Sequence, residues 1–350
     1  MSYTDIDKPS DYFNTKLYSG DNATNQAVTG VGFQPDLVWI KARTEVHQHN
    51  WFDVIRGVNK NLVSNSTNAE ATNTLYGYLA SYDTDGFTTQ KGSSADQWNV
   101  NKSGENYVAW NWLAGGTAVS NTQGSITSSV SANTTAGFSI VSYTGTGANA
   151  TVGHGLSSAP DMIFFKNRSS AVNWSVYARP NGAGYGQFLN TTAGKDLDSS
   201  YFNSTDPTSS VFSVGTNSFT NGSGNNMIAY CFASIKGFSK IGSYTGNGST
   251  DGTFVYTGFK PAFVIMKRTN TTGEWGIFDD KRNTFNVATS ELKANASDAE
   301  EINGAIDFLS NGFKLRDTAL FMNGSGSTYI YMAFASQPFV TSSGVCATAR

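Results

Sequence analysis

One pattern occurs three times in this chain, and it constrains the fold more than any other feature of the sequence. A Pro precedes a short apolar run, a Lys follows that Pro by six residues, and a Trp and then an Arg come downstream. The three runs read GFQPDLVWIKAR at 32–43, APDMIFFKNR at 159–168 and KPAFVIMKR at 260–268. The recurring residues are Lys41, Lys166 and Lys267, Trp51, Trp174 and Trp275, and Arg56, Arg179 and Arg282. This order predicts three copies of one folded unit.

The copies also end alike, which sets their boundaries. An Asn/Ser/Gly turn precedes each closing run, GENYVAWNWLAG at 104–115, GNNMIAYCFAS at 224–234 and GSTYIYMAFAS at 326–336. We therefore predict three units, and a unit of about 100 residues is long enough for its own core, so the repeat is a tandem of domains and not a solenoid. The predicted division is an N-terminal segment 1–11, unit one 12–116, a Ser/Thr-rich linker 117–136, unit two 137–236, unit three 237–340 and a C-terminal tail 341–350.

The runs inside each unit have the two-residue period of β-strands. In the first closing run one face carries Val108, Trp110 and Trp112, whereas the other carries the smaller Ala109 and Asn111. The large face predicts a core, and the small face predicts that another layer lies close over a strand central in its sheet. Short strands with frequent Gly-rich turns predict an all-β protein of three tandem β-sandwich domains, jelly-roll-like in type. The segment 288–309 alone favours a helix, because Ser297 and Glu300 resemble a capping box.

Composition excludes several classes of protein. Charged residues make up 14% of the chain and the formal net charge is −3, which argues against nucleic-acid binding and against attraction to a membrane surface. No apolar run is long enough to span a bilayer, and the N-terminal sequence lacks the features of a secretory signal. Stability does not depend on a disulfide, since Cys231 and Cys346 are the only cysteines. The surface composition is typical of extracellular proteins, yet the sequence has no secretory signal. Release by host-cell lysis, as for a virus particle, is a route that fits both observations.

The recurring Lys at the end of a buried strand has three interpretations. The structural one has the stem packed on aromatic rings while the ammonium meets a carboxylate or carbonyl groups. Asp53 and Asp279 are the candidate partners, and unit two has no Asp at that point. Contact with a ligand and a catalytic role are the alternatives. The structural interpretation is the one we favour.

Enzyme motifs are absent, so we predict a protein without catalytic residues, cofactor or metal. HQHN places His47 and His49 on one side of a strand, but no third metal ligand is evident and no other unit repeats the pair. Glycoside hydrolysis needs two carboxylates at a fixed separation, and no such pair recurs between units. SYDTDGFTT at 81–89 is a turn at the repeat's Gly-Phe position.

Binding of a sugar is easier to support from the residues. Sugar sites combine exposed aromatic rings with amides that bond hydroxyl groups, and this chain has aromatic residues in several Asn-, Ser- and Gly-rich loops. The recurring Trp residues favour a place in the core. Aromatic residues that do not recur are better ligand candidates, and these are Trp98, Tyr185 and Tyr201.

The string GFQPDLVWIKAR … NWFDVIRG … DGFTT … NVNKSGENYVAWNWLAG resembles a repeat of structural, tail-fibre-like proteins of marine tailed bacteriophages. The resemblance covers residues 29–116 closely and units two and three more loosely. Unit two departs most, because Arg179-Pro180 replaces the Asp-x-x-Arg-Gly turn. The resemblance implies a virion protein and carries no catalytic residues.

We accordingly expect a bacteriophage virion protein, assembled in the host cytoplasm and released by lysis. The favoured role is a tail fibre or similar host-facing adhesin that binds a cell-surface glycan and also contacts other virion proteins. A capsid or tail decoration protein with a purely structural role is the alternative, and a polysaccharide depolymerase is the weaker one. A homo-oligomer such as a trimer is expected, and the alternative is a monomer whose three units form a pseudo-threefold arrangement within one chain.

Overall fold

The computed structural model describes residues 3–94 and 99–348, and nearly all regular structure in them is β, as predicted. In unit one a 3-10 helix at Pro9–Asp11 precedes β1 (Phe13–Ser19), β2 (Gln26–Thr29), β3 (Leu37–Ala42), β4 (Asn50–Asp53), β5 (Lys60–Val63), β6 (Ala71–Thr72), β7 (Tyr78–Asp83), β8 (Gly86–Gln90) and β9 (Asn106–Trp112).

Unit two and the segment before it contain ten strands and two short helices. They are β10 (Val119–Asn121), β11 (Ser128–Asn133), β12 (Phe138–Thr144), β13 (Ala150–Gly153), β14 (Met162–Asn167), β15 (Ser175–Ala178), a 3-10 helix at Arg179–Asn181, β16 (Tyr185–Phe188), β17 (Asp196–Leu197), β18 (Val211–Val214), α1 (Ser218–Asn221) and β19 (Asn226–Phe232).

Unit three contains eight strands and one short helix. They are β20 (Ser239–Thr245), β21 (Phe254–Tyr256), β22 (Phe259–Arg268), β23 (Trp275–Asp279), β24 (Ala288–Lys293), β25 (Glu301–Leu309), β26 (Gly312–Leu315), α2 (Leu320–Asn323) and β27 (Thr328–Pro338).

The three large sheets have the same antiparallel strand order. The closing strand lies between the opening strand and the Lys strand in each, and the next strands follow outward: β1-β9-β3-β4-β5, β12-β19-β14-β15-β16 and β20-β27-β22-β23-β24. The prediction that the closing strand is central is therefore confirmed. Smaller sheets, β2-β8-β7 in unit one and β13-β18 in unit two, cover one face, and in unit three β21 pairs with β26. Each unit thus has the two-layered character of a β-sandwich.

The faces with large side chains pack together in one central core. That core contains the inward residues of all three closing strands, Val108, Trp110, Trp112, Ile228, Tyr230, Phe232, Ile330, Met332 and Phe334. The opposite, smaller faces lie in a separate core within each unit. The period-two pattern was correct about burial, but the large face meets the other two units and not the second sheet of its own unit.

Three equivalent aromatic rings mark the centre of this arrangement. The ring centroids of Trp112 and Phe232 are 6.1 Å apart, those of Trp112 and Phe334 5.8 Å, and those of Phe232 and Phe334 6.0 Å. Because these residues hold the same place in the three closing strands, the near-equal separations place the units around a pseudo-threefold axis within one chain.

Two local predictions were wrong. The segment 288–309 forms β24 and β25 instead of a helix, because the Glu300 carboxylate of the supposed capping box bonds the guanidinium of Arg43 in unit one. The supposed linker 117–136 contains β10 and β11, and β11 pairs with β12 to extend the sheet of unit two. The Ser- and Thr-rich composition suits this strand because β-branched and small residues tolerate a half-exposed sheet.

Candidate functional site

The recurring Lys and Trp residues of units two and three bond backbone carbonyl groups of the preceding unit, whereas Trp51 Nε1 has no partner among the described residues. Lys166 Nζ donates to the carbonyl of Thr67 in unit one at 3.1 Å, and Lys267 Nζ donates to that of Thr192 in unit two at 3.0 Å. Trp174 Nε1 donates to Val63 at 2.9 Å, and Trp275 Nε1 donates to Phe188 at 2.9 Å. These contacts cross between units, so the lysines act as structural links.

The third lysine lies at the junction of units one and three. Lys41 Nζ donates to the Ala42 carbonyl at 2.6 Å, and the carboxylates of Asp298 and Glu300 in unit three act on it electrostatically. Burial lowers the pKa of Lys41 to about 7, that of Lys166 to about 8 and that of Lys267 to about 7. In each case loss of hydration destabilises the ammonium form.

The arginines of the motif, and not the lysines, bind the buried aspartates. Arg56 Nε lies 2.5 Å from Asp53 Oδ2, and Tyr230 Oη of unit two donates to the same oxygen at 2.7 Å. The expected pairing of Asp53 with the recurring Lys is therefore wrong. The guanidinium is the better buried partner because its fork of donors fits a carboxylate and neighbouring carbonyls together.

Unit three repeats this pair, and unit two lacks it. Arg282 Nε lies 2.6 Å from Asp279 Oδ2, which also accepts from Trp110 Nε1 of unit one at 3.1 Å. Asp279 was likewise expected to meet a Lys, and that expectation is wrong. In unit two the corresponding strand position is Ala178, and Arg179 pairs instead with Asp161 with its side chain 46% exposed.

The three predicted ligand residues have different surroundings. Trp98 lies outside the described residues. Tyr201 is 4% exposed, its ring contacts Phe188 and Phe219, and its hydroxyl donates to Asp196, so that ring is not available to stack on a sugar. Tyr185 is partly exposed and its ring lies under the Lys195 ammonium at 4.2 Å from the centroid.

The histidine pair does not meet at one site. His49 is buried, and its Nδ1 accepts from Trp39 Nε1 at 2.9 Å. The His47 ring lies near the carboxylates of Glu45 and Glu105. Glu105 Oε1 already accepts from the backbone N–H and hydroxyl of Thr44, and the Lys102 ammonium bonds Glu45. Both carboxylates thus already bond protein donors, while the ligand atoms of Glu45, His47 and Glu105 lie within 4.8 Å of one another.

A recess with a volume of about 480 Å³ in unit one has six carboxamides among its thirteen lining residues. Its amide residues are Gln48, Asn61, Asn65, Asn68, Asn73 and Asn99, and the other lining residues are Val46, His47, Val63, Ala69, Ala71, Tyr76 and, from unit three, Ser297. We call this recess the amide pocket.

Hydrogen bonds to the backbone hold several of these amides in place. Asn65 Oδ1 accepts from the His49 N–H at 2.9 Å, and Asn73 Oδ1 accepts from the N–H groups of Leu75 and Tyr76. Asn61 Nδ2 donates to Asn50 Oδ1 at 2.8 Å, whereas the buried Asn61 Oδ1 has no partner among the described residues. An unpaired buried acceptor is costly, and this oxygen has almost no surface open to a ligand in the pocket.

Sequence reasoning missed the amide pocket, although a signal existed. The stretch NLVSNSTNAEATNTLY at 61–76 has four Asn residues, but ligand candidates were chosen by their aromatic rings, which did not select it. The recess also depends on residues distant in sequence, such as Gln48 and Ser297. Trp98 directly precedes the lining residue Asn99 in the chain.

The profile of one protein family, described as a domain of unknown function (DUF7483), matches residues 8–338. The chain belongs to the DUF7483 family. This single family domain spans all three units, in agreement with their shared core. No curated protein matches the sequence. The helices among the described residues are too short to cross a bilayer.

Proposed function

We propose that this DUF7483 protein is a virion adhesin of a tailed bacteriophage that binds a host-surface glycan in the amide pocket without cleaving it. The observation that supports the proposal is the pocket itself, which concentrates carboxamides in one concave surface. Each carboxamide offers both donor and acceptor atoms, which suits hydroxyl groups of a neutral sugar. Its volume of about 480 Å³ is within the range of small-molecule sites.

A binding role fits the pocket better than a depolymerase role. No residue described as lining it carries a carboxylate, and glycoside hydrolysis ordinarily requires a pair of them. Several amides are fixed by the backbone bonds given above, so a ligand would find a partly preorganised surface. The repeat's resemblance to tail-fibre-like proteins supports placing this binding on a virion.

Binding of purified host-surface polysaccharide by the full chain tests the proposal. Gln48 and Asn68 are exposed lining residues whose side chains make no hydrogen bond within the described part of the chain. We expect the double variant Gln48→Ala/Asn68→Ala to fold normally and to bind at least about tenfold more weakly, because two polar contacts are lost. Asn270→Ala, an exposed site in unit three, is the control. Equal weakening by the control, or no binding by the wild type, would overturn the proposal.

The second candidate is a capsid or tail decoration protein, and a different observation favours it. Unit three exposes large apolar side chains, with Phe285 77% and Ile302 86% exposed. Exposed apolar residues of this size mark a contact with another protein where they form a contiguous patch. Cryo-electron microscopy of the particle separates the candidates: a place on the outer tail or fibres favours the adhesin, whereas a symmetric layer in contact with unit three favours decoration.

A further inference from the structure

Two of the three junctions between units contain the same partly buried ion pair. At the junction of units one and two, Arg168 bonds Glu70 in a bidentate pair, with Nε–Oε2 2.8 Å and Nη2–Oε1 3.0 Å. At the junction of units three and one, Arg43 bonds Glu300 with both distances 2.8 Å. In both junctions the backbone N–H of the Glu donates to the carbonyl of the Arg, at 3.0 Å and 2.7 Å.

The junction of units two and three has the same backbone contact but different side chains. Here the N–H of Lys195 donates to the carbonyl of Thr269 at 2.8 Å. Thr269 corresponds to the two arginines, because each of these residues is the second after the recurring Lys and its N–H bonds the closing strand. Lys195 therefore has the place of the glutamate, and Thr269 that of the arginine.

A recess of about 320 Å³ lies where the guanidinium would be. At the first junction Arg168 Nη1 reaches Ser142 Oγ at 3.4 Å, and the corresponding residue Ser243 lines this recess. Lys195, Thr245, Thr269 and Thr328 also line it. We call it the lysine recess. Its lining thus combines one ammonium group with several hydroxyls, and none of its described lining residues is acidic.

The main chain at Lys195 packs closely against the main chain of unit three, which places this residue beside the recess. A Cβ on Gly194 would lie 2.9 Å from the Thr269 carbonyl oxygen, which shows how closely the two segments approach. The Lys195 ammonium lies over the Tyr185 ring, and the neighbouring Asp196 carboxylate accepts from Tyr201 Oη at 3.1 Å. Within the described residues Lys195 makes no ion pair.

We propose that the lysine recess binds the carboxylate of an acidic sugar, with Lys195 as its counter-ion. The carboxylate would lie where the guanidinium lies at the other junctions and pair with Lys195, which has the place of Glu70 and Glu300. The exposed hydroxyls of Ser243 and Thr245 bond the sugar hydroxyls. The inference rests on the proposed glycan-binding function and adds a charged residue to the expected ligand.

Titration of the full chain with sodium glucuronate tests this site, with glucose and sodium sulfate as comparison ligands. We expect saturable binding of glucuronate, weakened at least about tenfold by Lys195→Glu because attraction becomes repulsion. Lys240→Glu is the matched control, since Lys240 is an exposed lysine of β20 outside the recess, and a change within about twofold is expected from screening. A second variant, Lys195→Glu/Thr269→Arg, recreates the ion pair of the other junctions and should abolish binding while the fold is retained.

Each other outcome has a definite meaning. Absence of glucuronate binding, or equal weakening by Lys240→Glu, would overturn the inference. Binding of sulfate as tight as that of glucuronate would overturn the assignment to a sugar. If the neutral polysaccharide binds through the amide pocket while glucuronate does not bind, this inference alone fails. If glucuronate binds through Lys195 while Gln48→Ala/Asn68→Ala has no effect on polysaccharide binding, the amide pocket proposal fails instead.

Discussion

The junction between units two and three lacks the buried Asp–Arg pair that each of the other two junctions contains. Where the others have Asp53 or Asp279, it has Ala178, and where they present Tyr230 or Trp110 to that aspartate, it has Met332. The Ala178 and Met332 side chains belong to the same central core. The three junctions nevertheless surround one pseudo-threefold axis, so the buried ion pairs are not what specifies the arrangement. Apolar residues of suitable volume can replace buried pairs without loss of stability.

All three junctions share the backbone bond in which the N–H of Glu70, Lys195 or Glu300 donates to a carbonyl of the neighbouring unit. Side-chain links to backbone carbonyls recur at two of them. The links from Lys267 and Trp275 to unit two match those from Lys166 and Trp174 to unit one. Such bonds depend on the path of the main chain and not on which residue supplies the oxygen. Side-chain pairs at the junctions are therefore free to differ, whereas the main-chain links repeat.

The largest expected effect follows from removing one guanidinium at a charged junction. Arg56→Met leaves the Asp53 carboxylate buried without its cation, and we expect the free energy of unfolding to fall by about 3–5 kcal/mol. Arg179→Met, in unit two, removes a half-exposed pair with Asp161 and should cost about 0–1 kcal/mol. Urea denaturation measures both. Equal losses in the two variants would contradict the distinction between the junctions.

The next effect concerns the pH dependence of the free energy of unfolding. The folded pKa of Lys267 is lowered to about 7 from 10.5, so between these values the unfolded chain binds more protons and stability rises with pH. Lys267→Met should remove up to about 1.4 kcal/mol per pH unit from that slope. The measurement is urea denaturation from pH 8 to 9.5. A slope that Lys267→Met leaves unchanged would exclude a neutral buried lysine.

Comparison of Lys267→Met with the wild type separates the contribution of Lys267 to the pH dependence of stability from the contributions of groups that lower stability as pH rises. Burial raises the pKa of Glu291 to about 8, and it also raises that of Cys231. Both groups make stability fall as pH rises, Glu291 below pH 8 and Cys231 above the ordinary pKa of a thiol. Neither contribution changes in Lys267→Met. Lys240→Met, at an exposed lysine, should keep the wild-type slope.

The smallest effect is expected for the outer ion pair of the first junction. Glu70→Gln removes the charge opposite Arg168, whose side chain is mostly buried, and should lower the free energy of unfolding by about 1–2 kcal/mol. Glu301→Gln, at an exposed pair with Lys293, should change it by less than about 0.5 kcal/mol. Thermal unfolding of the two variants in parallel provides the measurement. A larger loss of unfolding free energy from Glu301→Gln than from Glu70→Gln would show that the ion pair at the junction does not stabilise the fold more than an exposed pair does.

Much of the fold could be predicted because strand periodicity is a local property. Trp110 and Trp112 were correctly placed on a buried face, and the closing strand was correctly made central. The two-residue alternation predicts that one face of a strand is buried, but it does not predict which residues cover that face. The core shared by the three units was therefore not predicted. The strands at 288–309 were mistaken for a helix because Ser297 and Glu300 fit a local motif, whereas Glu300 serves a distant arginine.

The candidate sites were less predictable for a related reason. The amide pocket requires that Gln48, Asn99 and Ser297 meet, and no spacing in the sequence reveals that meeting. The lysine recess becomes visible only when Lys195 is compared with Glu70 through their shared backbone contact. Aromatic residues chosen for failing to recur gave mixed results, since Tyr185 lies beside the recess and Tyr201 is buried.

The three rings of Trp112, Phe232 and Phe334 meet at the axis as parts of one polypeptide. Three separate identical chains would fall apart on dilution, whereas covalently joined units remain together at any concentration. Identical chains would also have to carry every junction in triplicate. In a single chain with three units, the residues at each junction can mutate independently of those at the other two. A recess can therefore arise at one junction while the other two junctions keep the ion pairs that occupy the corresponding space.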